Sequence, residues 1–154
     1  MNYWLFKSEP DVFGIEHLRK KPKHTAHWDG VRNYQARNFM RDAMHMGDLG
    51  FFYHSSCPEP GIVGVVEIVR AGYPDHTAFD PEDPHYDPKS RREQPAWYMV
   101  DVHLKREFGN VIGLQELKRH PALKDMKLLA RGNRLSVMPV AKREWDYIIK
   151  LEKG

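Results

Sequence analysis

The chain has 154 residues, of which 41% are hydrophobic, 29% charged and 12% aromatic, a balance that excludes collagenous and low-complexity chains. At about 150 residues per domain it predicts a single domain over residues 1–154, and Cys57, the only cysteine, excludes an internal disulfide framework and a cysteine zinc cluster. Lys+Arg 24 against Asp+Glu 21 leaves a net charge of +3, below the basic footprint of a protein that grips nucleic acid mainly through phosphates.

The first predicted element is a buried strand over Asn2–Phe6, stopped by Pro10. A short helix follows at Ile15–Arg19 and a short strand at Thr25–Trp28. Asn33 is placed to cap a helix running to Met44, with Ala36, Phe39, Met40 and Ala43 on one face. Asp48–His54 and Ile62–Val69 read as strands joined by a Ser/Cys/Pro/Gly turn. Tyr73–Pro95 holds five prolines and is expected to be a long ordered loop or a lid. Trp97–Leu104 returns to strand, with Tyr98, Val100, Val102 and Leu104 on one face. Leu114–Arg119 is a short helix and Leu135–Val137 a short strand ahead of Pro139. The closing helix turns Ala141, Trp145, Ile148 and Ile149 inward, and Ala141 at its head lacks a capping oxygen. Strands and short helices alternate without βαβ spacing, which predicts an α+β architecture around a mixed, partly closed sheet.

The apolar stretches Tyr3–Phe6 and Ile62–Val69 fall far short of the ~20 residues of a membrane span. The start, MNYWLFKSEP, lacks the basic and apolar regions of a signal peptide. A cytoplasmic protein without a membrane partner is expected.

Enzyme signatures are sparse. His54, Ser55, Ser56 and Cys57 lie together past a strand, where a Ser or Cys nucleophile could find a His base, but no GxSxG elbow or cysteine-hydrolase signature frames them. None of the nine histidines forms an HExxH pair, and no P-loop or GxGxxG is present. His76, His85, Asp80 and Asp87 in the Pro-rich segment are a weak cation set, so no metal and no cofactor are predicted. The basic residues cluster, as Arg19, Lys20, Lys21, Lys23 and His24 and again as Lys89, Arg91 and Arg92. Such clusters suit a few phosphate contacts or a solvated surface.

A binding pocket is better supported. Trp28 precedes an Asp29-Gly30 turn and then Arg32-Asn33 at a helix start. A Trp face beside an amide and a guanidinium suits a planar heterocycle, which needs stacking and edge hydrogen bonds. The alternative assigns Trp28 to the core and leaves Asn33 as a cap.

The segments KSEP (Lys7–Pro10), WDGVRNYQARN (Trp28–Asn38), FYHSS (Phe52–Ser56), YPDHTAFD (Tyr73–Asp80), YDPKS (Tyr86–Ser90) and RLSVMPV (Arg134–Val140) resemble the EVE family along the whole chain. That resemblance implies a PUA-like fold, a small mixed β-barrel with short peripheral helices, related to the YTH domains. It implies recognition of a modified base of the 5-methylcytosine or 5-hydroxymethylcytosine type, flipped into an aromatic and polar pocket. By the YTH pattern the pocket takes Lys7, Ser8, Trp28 and Asn33, and the EVE motifs add Arg32, Tyr34, His54, Ser55 and Ser136. Tyr53, Tyr86 and Trp97 are candidates for further aromatic walls. Arg19, Lys20, Lys21, Lys89, Arg91 and Arg92 are expected to hold flanking phosphates. DNA is the favoured partner. Modified RNA such as transfer RNA, a small-molecule enzyme using His54 with Ser55 or Cys57, and a Pro-rich loop that docks a protein partner are the alternatives.

Overall fold

A computed structural model describes residues 1–154. Six strands form one mixed sheet: β1 (Tyr3–Ser8), β2 (Thr25–His27), β3 (Leu49–His54), β4 (Gly61–Pro74), β5 (Tyr98–Gly113) and β6 (Val137–Val140), in the order β2-β5-β4-β3-β1-β6. β1 and β3 run parallel and every other pair is antiparallel. The helices are short: α1 (Pro10–Phe13), α2 (Ile15–Lys20), α3 (Tyr34–Asn38), α4 (Leu114–Lys118) and, closing the chain, α5 (Lys142–Lys153). This is the α+β architecture expected. Backbone pairing does not join β2 to β6. β2 and the lead into β6 nonetheless border one cleft.

Strand alternation builds two cores. Trp4 and Phe6 of β1 and Phe52 of β3 face one side, where Trp28, Ile15 and Leu18 of α2, and Ala36 and Met40 pack on them. Leu5, Phe51 and Tyr53 face the other, covered by α5. There Trp145 stacks on Phe51 at 3.9 Å between centroids and on Tyr3 at 4.7 Å.

Several boundaries differ from expectation. The helix capped by Asn33 becomes a π-helical turn at Phe39–Ala43, and α1, started by Pro10, fills a segment the sequence left blank. β4 and β5 are longer than predicted because their antiparallel ladder continues past the apolar stretch, through several register shifts. Those shifts break the clean alternation expected of Trp97–Leu104, so Met99, Val100 and Val102 are all buried in one cluster. The last strand is Val137–Val140 and includes Pro139, opposite Trp4 at the sheet edge. An edge position tolerates proline because its missing donor is not needed there.

The head of α5 has a cap the sequence reading missed. Glu144 accepts a hydrogen bond from the Ala141 backbone N–H at 3.0 Å, half of a capping box, and is buried. Glu144→Ala is expected to destabilise the protein by about 1 kcal/mol, whereas Glu144→Gln, which keeps an acceptor, loses much less. Thermal melts of the two variants check this.

Candidate functional site

A cleft of about 810 Å³ opens at the C-terminal ends of the parallel strands β1 and β3. Its volume lies within the range of small-molecule sites, roughly 300–1,000 Å³. Lys7 and Ser8 come from β1, Ser55 from the residue after β3, and Ser136 from the residue before β6. Two backbone hydrogen bonds bring these ends together: Lys7 N–H to the Ser136 carbonyl at 2.8 Å and Ser55 N–H to the Ser8 carbonyl at 2.9 Å. Thr25, Ala26 and His27 of β2 and the stretch Trp28–Val31 form the opposite wall.

Trp28 is both core and cleft lining. It is 6% exposed and meets Phe6, Phe52 and Phe13 edge-on or steeply, at 5.2, 5.4 and 5.9 Å between centroids. No aromatic ring of the chain stacks parallel to it. The two readings of Trp28 therefore coincide: the phenylalanines fix its plane, and the cleft borders it.

Five of the ten predicted pocket residues, Lys7, Ser8, Trp28, Ser55 and Ser136, line this cleft; Arg32, Asn33, Tyr34, Tyr53 and His54 do not. Each exception has a local cause. The Arg32 guanidinium is spent on the Pro-rich loop, donating to Asp75 at 3.0 Å, Thr77 at 3.3 Å and the His85 carbonyl at 2.7 Å. Asn33 caps α3 by accepting from the Ala36 N–H at 3.0 Å. Tyr34 is 60% exposed on the outer side, stacked on Trp97 at 4.8 Å with Arg37 over its ring. Tyr53 points by strand alternation into the α5 core, where burial pushes its phenol up to about 12.

His54 turns towards α2 instead. Its Nε2 accepts from the Ile15 N–H at 3.1 Å, and it borders a separate cavity of about 470 Å³. Burial holds its pKa below the ordinary imidazole value, partly offset by the Glu16 charge. Ser55, the next residue, faces the large cleft, because successive residues at a strand end point oppositely. No hydrogen bond links His54 to Ser55 or Cys57. The arrangement expected of a His-activated nucleophile is not formed.

The Pro-rich segment is a clamped flap rather than a free lid. Asp75, fully buried, accepts from Arg32, the Gly30 N–H at 2.9 Å and the Thr77 N–H and hydroxyl at 2.9 and 2.6 Å. Burial alone would raise its carboxyl, but the hydrogen bonds from Thr77, Gly30 and Arg32 outweigh that and hold it below the usual range. Gly30 has φ +79°, and a Cβ there would lie 2.6 Å from the His85 ring, so glycine is what lets His85 close over the cleft rim. Trp97 Nε1 donates to Asp87 at 2.7 Å and ties down the far end. Of the loop's expected cation set only His85 enters a ligand-like group, with Asp29 and Asp83, all ligand atoms within 4.8 Å of one another.

The basic residues divide similarly. Lys21 lines the cleft, and Lys20, Lys89 and Arg91 are exposed on the surface. Arg92 lies over the Phe79 ring. Arg19 donates to Glu107 through two contacts at 2.6 and 2.8 Å. The structure adds Glu9, His27, Asp29, His85 and Arg134 to the cleft. Arg134 and Asp29 lie inside motifs already noted, but nothing in their spacing pointed them inward.

A family model described as EVE domain matches residues 2–151. Thymocyte nuclear protein 1 from Mus musculus is 51% identical over 99% of this chain and 74% of its own length. A solved structure of human THYN1 in complex with 5-methylcytosine-containing DNA is 47% identical, with a TM-score of 0.95 over 100% of this chain and 99% of that one. A crystal structure of a protein from Pseudomonas syringae is 50% identical, with a TM-score of 0.92 over 97% of this chain and 99% of that one. No helix of the chain is long and apolar enough to cross a membrane.

Proposed function

Because the chain belongs to the EVE domain family, we propose that it binds DNA carrying 5-methylcytosine and takes the modified base, turned out of the helix, into the cleft floored by Trp28. The observation that carries this reading is the cleft itself: an aromatic floor with hydroxyl and cationic groups around it, in a chain 47% identical to a protein solved with such DNA. Flipping a base costs a few kcal/mol, and stacking on an aromatic side chain returns about 1–3 kcal/mol. Ser8, Ser55 and Ser136 can donate or accept at the base edge. Phe13, Ala26, Val31 and Leu135 give the walls apolar surface for a methyl group. Burying one methyl is worth about 0.8 kcal/mol, roughly a fourfold preference over unmodified cytosine.

A binding role is supported by the separation of His54 and Ser55, which border different cavities, and by the lack of any hydrogen bond from His54 to Ser55 or Cys57. Action on DNA puts the protein in a DNA-containing compartment. The mouse relative is named a nuclear protein, and the cytoplasmic expectation applies where DNA and cytoplasm are not separated.

The test is a fluorescence titration with short oligonucleotides bearing cytosine, 5-methylcytosine or 5-hydroxymethylcytosine, as DNA and as RNA. A preference of about fourfold or more for methylated DNA is expected. Equal affinity for all of them overturns the reading, and tighter binding of the RNA set moves it to the RNA alternative. The same titration across salt separates the cations. Lys21→Ala is expected to reduce the slope of log K against log salt by about one phosphate contact, and Arg19→Ala to leave it unchanged.

A further inference from the structure

The cleft contains two carboxylates, Glu9 and Asp29. Glu9 is exposed at the rim, whereas Asp29 is half-buried, immediately after the Trp28 floor. Asp29 has no ion-pair partner, although Lys7, Lys21 and Arg134 line the same cleft. Its neighbours in the flap use their carboxylates locally: Asp75, Asp80, Asp83 and Asp87 each accept from the backbone N–H two residues on, at 2.8–3.0 Å. Asp29, in an Asp-Gly turn where the same bond to Val31 is available by spacing, does not make it.

The Asp29 carboxylate shares the cleft rim with Asp83 and His85, their ligand atoms within 4.8 Å of one another, and a negative charge without an ion-pair partner in a cleft for DNA repels phosphate. That cost is offset if the ligand brings a donor. Carboxylates pair with the exocyclic amine of cytosine, and cytosine differs there from thymine. Thymine carries the same 5-methyl group but presents a carbonyl oxygen where 5-methylcytosine presents an amino group. The methyl alone cannot separate the two bases, so a reader that must ignore the abundant thymine needs an acceptor-only group at this edge.

We infer that Asp29 is the specificity residue that selects cytosine over thymine, by accepting a hydrogen bond from the 4-amino group of the flipped base. The inference rests on the base-binding reading above. Lys7 and the three serines are then left to serve the acceptors of the base, and the apolar walls its methyl group.

The experiment uses single-stranded oligonucleotides that differ only at one base, 5-methylcytosine, cytosine, thymine or uracil, so that mismatch and flipping costs do not enter. The wild-type protein is expected to bind 5-methylcytosine about tenfold or more tightly than thymine. Asp29→Asn, whose amide can also donate, is expected to bring the two within about twofold, with thymine binding unchanged or tighter. Asp29→Ala is expected to weaken 5-methylcytosine binding and leave thymine alone. A thermal melt equal to wild type shows that the turn is intact. A cytosine-to-thymine ratio retained in Asp29→Asn overturns the inference while leaving the base-binding reading standing. Wild-type affinity that ignores the base altogether overturns both.

Discussion

Trp28→Ala is expected to lower stability by about 3–5 kcal/mol, a fall in Tm on the order of 10 °C or more for a domain of this size. The reason is placement: Trp28 is 6% exposed and packs against Phe6, Phe13 and Phe52 on the face of the sheet that α2 covers. Loss of DNA binding in this variant therefore confounds stacking with unfolding. Trp28→Phe separates them, because it keeps an aromatic floor and most of the packing volume. Its melting temperature should stay within a few degrees of wild type, while affinity for a methylated oligonucleotide falls by about 1 kcal/mol through the smaller stacking surface. A Phe variant that binds as tightly as wild type removes the indole from the recognition mechanism.

The second large effect concerns the clamp. Arg32→Ala leaves the buried Asp75 carboxylate with only the Thr77 and Gly30 donors, and is expected to cost about 3 kcal/mol, the low end for breaking a buried ion pair. Arg32→Lys restores charge but not the fork that spans Asp75, Thr77 and the His85 carbonyl, and should recover only part of it. The pH dependence has a definite sign. A depressed carboxylate contributes stability that is complete above its ordinary value of 3.8 and disappears as pH falls through the lower folded value. The gap between wild type and Arg32→Ala in a melt should hold at neutral pH and narrow below about pH 4. A gap that persisted unchanged at pH 2 would contradict the clamp. Limited proteolysis between Asp80 and Gln94 should accelerate in the variant, because the flap loses its anchor beside the cleft rim.

The resemblance to the EVE family marked residues by motif, and a motif does not say which way a side chain points. Arg19 and Lys21 sit two residues apart in one basic run, yet Glu107, 88 positions later, takes the first, and the cleft takes the second. Tyr53 and His54 are adjacent, but the parity of β3 sends Tyr53 under α5, while the start of α2 captures the His54 ring.

Local chemistry made much of the molecule legible from the sequence by itself. Local pattern located all six strands and the closing helix, though not the far ends of β4 and β5, because alternation on a strand and a stripe on a helix are properties of neighbours. Asn33 was readable as a cap for the same reason. Lys7, Ser8 and Ser55, which line the cleft, were marked by the resemblance to the EVE and YTH motifs rather than by any local pattern. Only the tertiary structure decided that Arg32 is a clamp, that Tyr34 faces away, that His54 and Ser55 serve different cavities, and that Asp29 enters the cleft without a partner. Those outcomes depend on contacts between residues tens of positions apart, and hydrogen-bond and charge partners at that separation are chosen by the packed sheet rather than by sequence spacing.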